Sequence, residues 1–107
     1  MSAQTLINTL ADTARVAGRT LTVATGAQRK AALQTIADAI EARSAEILAA
    51  NEKDMAAGRA ANLNSSLLDR LLLTPERIKG IAGGARQVSE LPDPLGNTLR
   101  KSTLPNG

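Results

Sequence analysis

The sequence contains no cysteine, no histidine and no aromatic residue. Without cysteine, a disulfide framework, a thiolate nucleophile and a thiolate metal site are all excluded. Without histidine, the chain lacks the commonest general base and the commonest metal ligand. Aromatic side chains each bury about 150–250 Å² in ordinary cores, so a free-standing domain of this composition would be only marginally stable. These absences predict an incomplete fold rather than a self-sufficient enzyme.

The charges do not indicate a nucleic-acid or membrane partner. The 13 basic residues are scattered among 10 acidic ones, giving a net charge of +3. The longest runs of adjacent basic residues are two residues long, at Arg29-Lys30 and Arg100-Lys101. No aromatic side chain is present to stack on a base. The first residues do not form a secretory signal, and no apolar run approaches the roughly 20 residues that span a bilayer. We therefore expect a solvated surface and a cytoplasmic location.

Apolar periodicity predicts helices in the first half of the chain. We predict a helix over residues 3–17 that stops at Gly18, and a second over residues 27–50 that is capped by Thr25. Asn51 is predicted to break the second pattern and to cap a short helix. That short helix should end at Asn62, because asparagine tolerates the left-handed conformation.

The second half predicts two more helical segments. Asn64, Ser65 and Ser66 offer a cap for one or two apolar turns over residues 67–73. Thr74-Pro75-Glu76 is a typical helix start, and that helix should run to about residue 90. The side chains predicted to face inward there are Ile78, Ile81, Ala82, Ala85 and Val88. Gly83-Gly84 indicates either a closely approaching backbone or a loose helix, and the sequence leaves both open.

The residue pattern changes from helical to strand-like after Gly96. Residues 98–104 have modest strand character and lead into Pro105-Asn106-Gly107, where Asn-Gly is a strong hairpin signal. No returning strand follows, which predicts truncation. The predicted fold class is mostly α: four to five helices over residues 1–96, and the first strand of a β-hairpin over residues 97–107.

Three features resemble functional sites, and each has a simpler interpretation. The carboxylates of Glu52-Lys53-Asp54 suit the positive end of a helix dipole. Gly80 with Gly83-Gly84 does not follow a strand and has neither dinucleotide-binding nor phosphate-loop spacing. Asp69-Arg70, inside a leucine-rich turn, is typical of a structural ion pair. We predict no catalytic, cofactor-binding or metal-binding residue in this chain.

Four linked stretches resemble a known family. They are IADAIE (36–41), ILAANEKD (47–54), LLDRLLLTPERIKGIA (67–82) and RQVSELPDPLG (86–96). At these spacings the sequence resembles the N-terminal region of gamma-glutamyl phosphate reductase, also called glutamate-5-semialdehyde dehydrogenase, of the aldehyde dehydrogenase superfamily. It departs at Asn62, where the family often has glycine, at Gly83-Gly84, and in total length, because family members are several times longer.

The resemblance implies the N-terminal helical layer of an α/β aldehyde dehydrogenase-like fold, covering its cofactor domain. The family enzyme reduces L-glutamyl 5-phosphate to glutamate 5-semialdehyde with NADPH in proline biosynthesis, through a cysteine nucleophile. Its cysteine and cofactor loops would lie in a C-terminal portion absent from this sequence. The resemblance thus implies that this chain alone is inactive and binds no cofactor. Its partner would be that portion, in an enzyme expected to be a homo-oligomer.

A different class of function is also compatible with the residues. The chain would then be a complete small helical adaptor that binds a protein partner through the leucine-rich surface of residues 67–73. An open reading frame that continues beyond Gly107 into a cysteine-containing dehydrogenase would favour the reductase, and a stop codon there would favour the adaptor.

Overall fold

The computed structural model describes all residues, 1–107, and consists of five helices joined by short loops. The radius of gyration is 20.4 Å, whereas a compact domain of this length would have about 13 Å. The molecule measures 70 × 38 × 26 Å. The molecule is therefore elongated, and its secondary structure is mostly α, as predicted. The helices are α1 (Ala3–Val23), α2 (Gly26–Ala42), α3 (Ser44–Ala60), α4 (Ser65–Leu71) and α5 (Pro75–Ser89).

Side-chain caps define the starts of α2, α4 and α5 as the sequence predicts. The Thr25 hydroxyl accepts the backbone N–H of Gln28 at 3.1 Å, and the Gln28 side-chain oxygen accepts the backbone N–H of Thr25 at 2.8 Å. Asn64 caps α4 at 2.9 Å, and Thr74 caps α5 at 3.1 Å ahead of its proline. Each cap satisfies a backbone N–H that has no partner inside its helix.

α1 runs past its predicted stop. Gly18 lies inside the helix, which continues to Val23, because one interior glycine costs only about 1 kcal/mol relative to alanine. The end is stabilised from outside α1. The Arg29 guanidinium donates to the carbonyl of Leu21 at 3.1 Å and to that of Ala24, and it also pairs with Asp93. The stop therefore depends on a tertiary contact rather than on the glycine.

The helix predicted over residues 27–50 is two helices that meet at Arg43. The break contains neither proline nor glycine, so local chemistry does not signal it. Contrary to the prediction, Asn51 does not cap a new helix. It lies buried in the middle of α3. Its side chain instead bonds to the carbonyl of Leu71 at the end of α4 and to the N–H of Leu73 just beyond it. The predicted end of α3 is confirmed, since Asn62, two residues beyond the last residue of α3, has a φ of 57°.

The core is small and lies where α5 packs on α2 and where α3 packs on α4. Only 7 of the 107 residues are buried, so most apolar side chains keep solvent contact. Ile78 is the largest fully buried side chain, 1% exposed. The Leu63, Leu68 and Leu71 side chains pack against Gly58 of α3. The buried residues are Ala37, Asn51, Met55, Gly58, Ile78, Ala82 and Ser89.

Two of the residues predicted to face inward on α5 do not. Ile78 and Ala82 are buried, but Ile81 and Val88 are 51% and 52% exposed. α5 buries only one narrow face, because α2 is its main neighbour, and Ile81 and Val88 are rotated about 100° away from that face. The prediction was wrong because it assumed an apolar face wider than one neighbouring helix can cover.

Gly83 and Gly84 are not sites of close approach. A Cβ atom added to either would meet no heavy atom within 4 Å, so the first explanation offered for these glycines is excluded. Substitution of both by alanine is expected to raise the free energy of unfolding by about 1–2 kcal/mol, since each exchange removes a helix-interior glycine. Urea titration followed by circular dichroism measures the change, and a loss of stability would contradict it.

The C-terminal residues do not form the predicted strand. Residues 97–107 are coil with turns, including a Gly107 N–H to Leu104 carbonyl bond of 2.9 Å. A single strand has no backbone partner, and pairing is what stabilises extended chain in a sheet. A turn does form, but its central residues are Pro105 and Asn106, and Asn106 lacks the positive φ that a two-residue Asn-Gly hairpin turn requires, so the prediction was wrong.

Candidate functional site

The features that resembled functional sites occupy structural positions. Glu52 and Asp54 are exposed on the outside of α3. Asp69 pairs with Arg77 at 2.8 Å rather than with its neighbour Arg70. Arg77 also donates to the carbonyls of Asp69 and Leu72, so it closes the C-terminal end of α4. Sequence reasoning identified Asp69 as a partner in an ion pair but did not identify the arginine one helix away.

No three side chains of the types that ligate metal ions come together, and no helix has the length and apolarity needed to cross a membrane. The glycines at positions 80, 83 and 84 all lie inside α5, with open space beside them. The candidate functional features of this chain are therefore surfaces.

The leucine-rich segment is not a free binding surface. Leu67 is 43% exposed, but Leu68 and Leu71 are half-buried, and their methyl groups would lie 3.2–3.3 Å from a Cβ added to Gly58. Leu72 and Leu73 are also half-buried. This segment is largely occupied by packing inside the molecule, which does not favour the adaptor hypothesis.

One side of the α2–α5 pair holds a cluster of charges. Arg86 donates to Glu41 at 2.9 and 3.0 Å and to Asp38 at 2.8 Å. The hydrogen bond from Arg86 holds the pKa of Glu41 below its ordinary value, and the two carboxylates raise the pKa of Arg86. At the other end of the pair, Lys30 contacts Glu90 at 3.0 Å. These contacts between distant residues fix the two helices in antiparallel register.

The Arg86 cluster predicts a specific pH dependence. The lowered pKa of Glu41 means that its contribution to stability is complete above the ordinary glutamate pKa of about 4.3 and is lost as pH falls through the lowered value. We expect a lower urea midpoint at about pH 3 than at about pH 7. The difference between the two midpoints should be smaller in Arg86→Gln than in the parent. Arg100→Gln is the control, because Arg100 forms no salt bridge. An identical acid response in Arg86→Gln and the parent would contradict the assignment.

The opposite side of the α2–α5 pair is apolar and uncovered. Ile36, Ile81 and Val88 are 50%, 51% and 52% exposed. Each comes directly before a buried residue of its own helix, so each is rotated about 100° from the contact between the helices. In antiparallel helices this rotation points to the same side of the pair. The pair therefore presents one apolar face, defined as Leu33, Ile36, Ile40, Ile81, Ala85 and Val88.

An open cleft of about 300 Å³ lies between the start of α2 and the segment after α5. Its two basic side chains are already paired, Arg29 with Asp93 and Lys30 with Glu90. The pKa of Asp93 is lowered first by a hydrogen bond from the backbone N–H of Leu95 and then by Arg29. The cleft thus carries no free positive charge for an anion, and its role is to hold the end of α1 against the segment after α5.

Comparison with known proteins shows clear relatives. The chain is 50% identical over 97 residues to the gamma-glutamyl phosphate reductase of Geobacillus thermodenitrificans (strain NG80-2), which is 91% of this chain and 23% of that protein. It is 50% identical over 94 residues to the gamma-glutamyl phosphate reductase of Kineococcus radiotolerans (strain ATCC BAA-149 / DSM 14245 / SRS30216), covering 88% of this chain and 22% of that protein.

No family model and no solved structure matches the chain. The chain spans less than a quarter of the length of the curated relatives it matches. The resemblance predicted from the four sequence stretches is nevertheless confirmed, at an identity that persists over about nine-tenths of the chain. This chain is accordingly a relative of the gamma-glutamyl phosphate reductases.

Proposed function

We propose that this chain is the N-terminal helical part of an NADPH-dependent reductase that converts L-glutamyl 5-phosphate to L-glutamate 5-semialdehyde in proline biosynthesis. The observation that carries the proposal is the 50% identity over 97 residues to a protein of that name that is about four times as long. Cytoplasmic location and homo-oligomeric assembly belong to the same proposal.

The role of this part would be to pack against the catalytic body rather than to perform chemistry. Reduction of an acyl phosphate through a thioester needs a nucleophile, and this sequence has no cysteine. NADPH supplies the hydride when it is bound, and the resemblance assigns its binding loops to the remainder of the enzyme. What these helices offer is the apolar face of the α2–α5 pair, which is half exposed in the isolated chain.

An exposed apolar face of this kind is typical of a helical layer that covers another layer. The Arg86 cluster on the opposite side is consistent with this arrangement, because charged side chains remain solvated when only the apolar side is covered. The uncovered apolar face and the solvated Arg86 cluster both support a helical layer that the remainder of a longer protein covers.

A chimera tests the proposal directly. This chain would replace the matching segment of the Geobacillus reductase, and NADPH oxidation would be followed with L-glutamyl 5-phosphate as the substrate. We expect turnover within about tenfold of the unaltered relative, and none from the 107-residue chain alone. A soluble, folded chimera without activity would overturn the proposal, and so would turnover by the 107-residue chain alone.

Substitution in the chimera then tests the role of the apolar face. Ile81→Glu places a carboxylate where we propose that the catalytic body packs, so soluble yield and activity should both fall at least tenfold. Gln87→Glu is the matched control, because Gln87 is an exposed residue on another side of the same helix. Equal activity of the two variants would show that this face is not covered.

A further inference from the structure

α1 is joined to the rest of the molecule at one end only. Every residue of Ala3–Val23 is exposed, and the extended helix–helix contacts all lie among α2, α3, α4 and α5. No charged side chain of α1 forms a salt bridge. Two residues in extended conformation, Ala24 and Thr25, connect α1 to α2. The direction of α1 relative to the α2–α5 pair therefore depends on this corner.

The pivot of the corner is Ala24. Thr25 is fixed to α2, because its hydroxyl accepts the N–H of Gln28 and its own N–H donates to the Gln28 side chain. Ala24 has no side chain that could fix it in the same way. A rotation of about 30° at Ala24 would move Asn8, about 24 Å away along the helix, by about 12 Å. Small dihedral changes at this residue therefore produce large movements of α1.

One side chain spans the pivot. Arg29 Nη1 donates to the carbonyl of Leu21 at 3.1 Å and to that of Ala24, whereas its Nη2 pairs with Asp93. No other side chain outside α1 hydrogen-bonds to this helix or to Ala24. The last turn of α1 has no basic residue of its own, so Arg29 supplies the cation that suits this end of the dipole. Because the guanidinium is a rigid planar fork, holding all three groups fixes their relative positions.

The segment after α5 presents its carboxylate to Arg29 in a fixed position. Asp93 lies between Pro92 and Pro94, and proline restricts both its own backbone and that of the residue before it. The Oδ1 atom of Asp93 accepts the N–H of Leu95 at 3.0 Å, which fixes the side chain as well. The contact to Arg29 thereby connects α1 to a rigid turn at the far end of α5.

Gly26 leaves the space that this carboxylate occupies. A Cβ atom added to Gly26 would lie 2.8 Å from Oδ2 of Asp93, closer than non-bonded atoms approach. Since Oδ1 is held by Leu95, Oδ2 can move away only by leaving Arg29. The φ of Gly26 is not positive, so its backbone conformation does not require glycine. The close approach of Asp93 does.

We infer that Gly26, Arg29 and Asp93 form a latch that sets the direction of α1 relative to the α2–α5 pair and couples it to the segment after α5. With the latch closed, α1 is held at one angle. With the latch open, α1 swings about Ala24 as a rigid arm, so a displacement of residues 92–95 releases α1. The inference does not depend on the proposed function, because it concerns contacts within this chain alone.

Distances between nitroxide labels, measured by double electron–electron resonance, test the latch, and the native chain has no cysteine to interfere. Asn8→Cys with Gln87→Cys reports the direction of α1, and Thr35→Cys with Gln87→Cys reports the α2–α5 pair. All three positions are exposed. We expect one narrow distance distribution for each label pair in the otherwise unaltered chain. Arg29→Gln should broaden the α1 distribution by at least about twofold and leave the α2–α5 distribution unchanged.

Lys30→Gln is the matched control, because Lys30 pairs with Glu90 between the same two helices and forms no bond to α1. Both distributions should stay as they are in this variant. Should Arg29→Gln broaden the α2–α5 distribution as well, Asp93→Asn decides, since its amide oxygen still accepts the N–H of Leu95 while the charge facing Arg29 is lost. An α1 distribution that neither Arg29→Gln nor Asp93→Asn broadens would overturn the inference, as would equal broadening by Lys30→Gln.

Gly26→Ala distinguishes the latch from ordinary helix propensity. Propensity alone predicts that alanine strengthens the start of α2 and leaves α1 unmoved. The latch predicts that the added methyl group displaces Asp93, so the α1 distribution broadens as in Arg29→Gln. Adding Arg29→Gln to Gly26→Ala should broaden it no further, because both changes open the same latch. An unchanged α1 distribution in Gly26→Ala, or additive broadening in the double variant, would overturn the assignment of Gly26.

Discussion

Ile78→Ala is expected to lower the free energy of unfolding by about 2–4 kcal/mol, in the range typical of buried isoleucine truncation. Ile78 is 1% exposed and is the largest side chain that the molecule buries completely. With only 7 buried residues in 107, the remaining contacts cannot offset a cavity at that position. We expect a substantial unfolded fraction of the variant at 25 °C without denaturant.

The matched control is Ile81→Ala, three residues along the same helix. Ile81 is 51% exposed in the isolated chain, so its truncation removes less buried surface and should cost less than about 1 kcal/mol. Urea titration of both variants, followed by circular dichroism, gives the comparison. Equal losses would show that the α2–α5 contact is not where the structure places it.

Asn51→Ala is expected to lower the free energy of unfolding by about 2–4 kcal/mol, since two buried hydrogen bonds are lost together. The Asn51 side chain is the link between α3 and the C-terminal end of α4 with the residues that follow it. Its amide nitrogen donates to the carbonyl of Leu71 at 2.8 Å, and its amide oxygen accepts the N–H of Leu73 at 2.8 Å. Truncation leaves both backbone groups without this partner. Asn8→Ala, at an exposed position of α1, should change stability by less than about 0.5 kcal/mol.

Asn51→Asp separates the hydrogen bonds from simple packing. The ionised carboxylate still accepts the N–H of Leu73, but it faces the carbonyl of Leu71 without a proton to donate. A protonated carboxyl can donate to that carbonyl. Relative to the parent at each pH, Asn51→Asp should therefore be strongly destabilised near pH 7 and partly recovered near pH 4, as measured by urea midpoints. A deficit that does not depend on pH would argue against the hydrogen-bonding role.

The family resemblance and much of the local structure can be predicted from the sequence alone. The caps at Thr25, Asn64 and Thr74, and the left-handed residue Asn62, are local chemistry, because each depends on a side chain and backbone groups within a few residues. The four family stretches likewise needed only sequence. Gly18 does not end α1, because a glycine ends a helix only where no later contact supports the next turns.

The errors concern contacts between distant residues. Asn51 looks like a cap in sequence, yet its partners are 20 and 22 residues away. Arg77 and Arg86 are unremarkable basic residues until helix packing places them beside carboxylates 8, 45 and 48 residues away. Similarly, periodicity shows that α5 has an apolar stripe but not how much of it a neighbouring helix covers.

The sequence by itself determined that the chain is helical, where most helices start, and which reductase family it resembles, since these depend on short-range hydrogen bonding and on matched residues. Only the tertiary structure decided that α1 stands apart, that α3 begins at a break without proline or glycine, and that the apolar face of the α2–α5 pair lies open. The physical reason is that burial is a property of two surfaces in contact, and one stretch of sequence specifies only one of them.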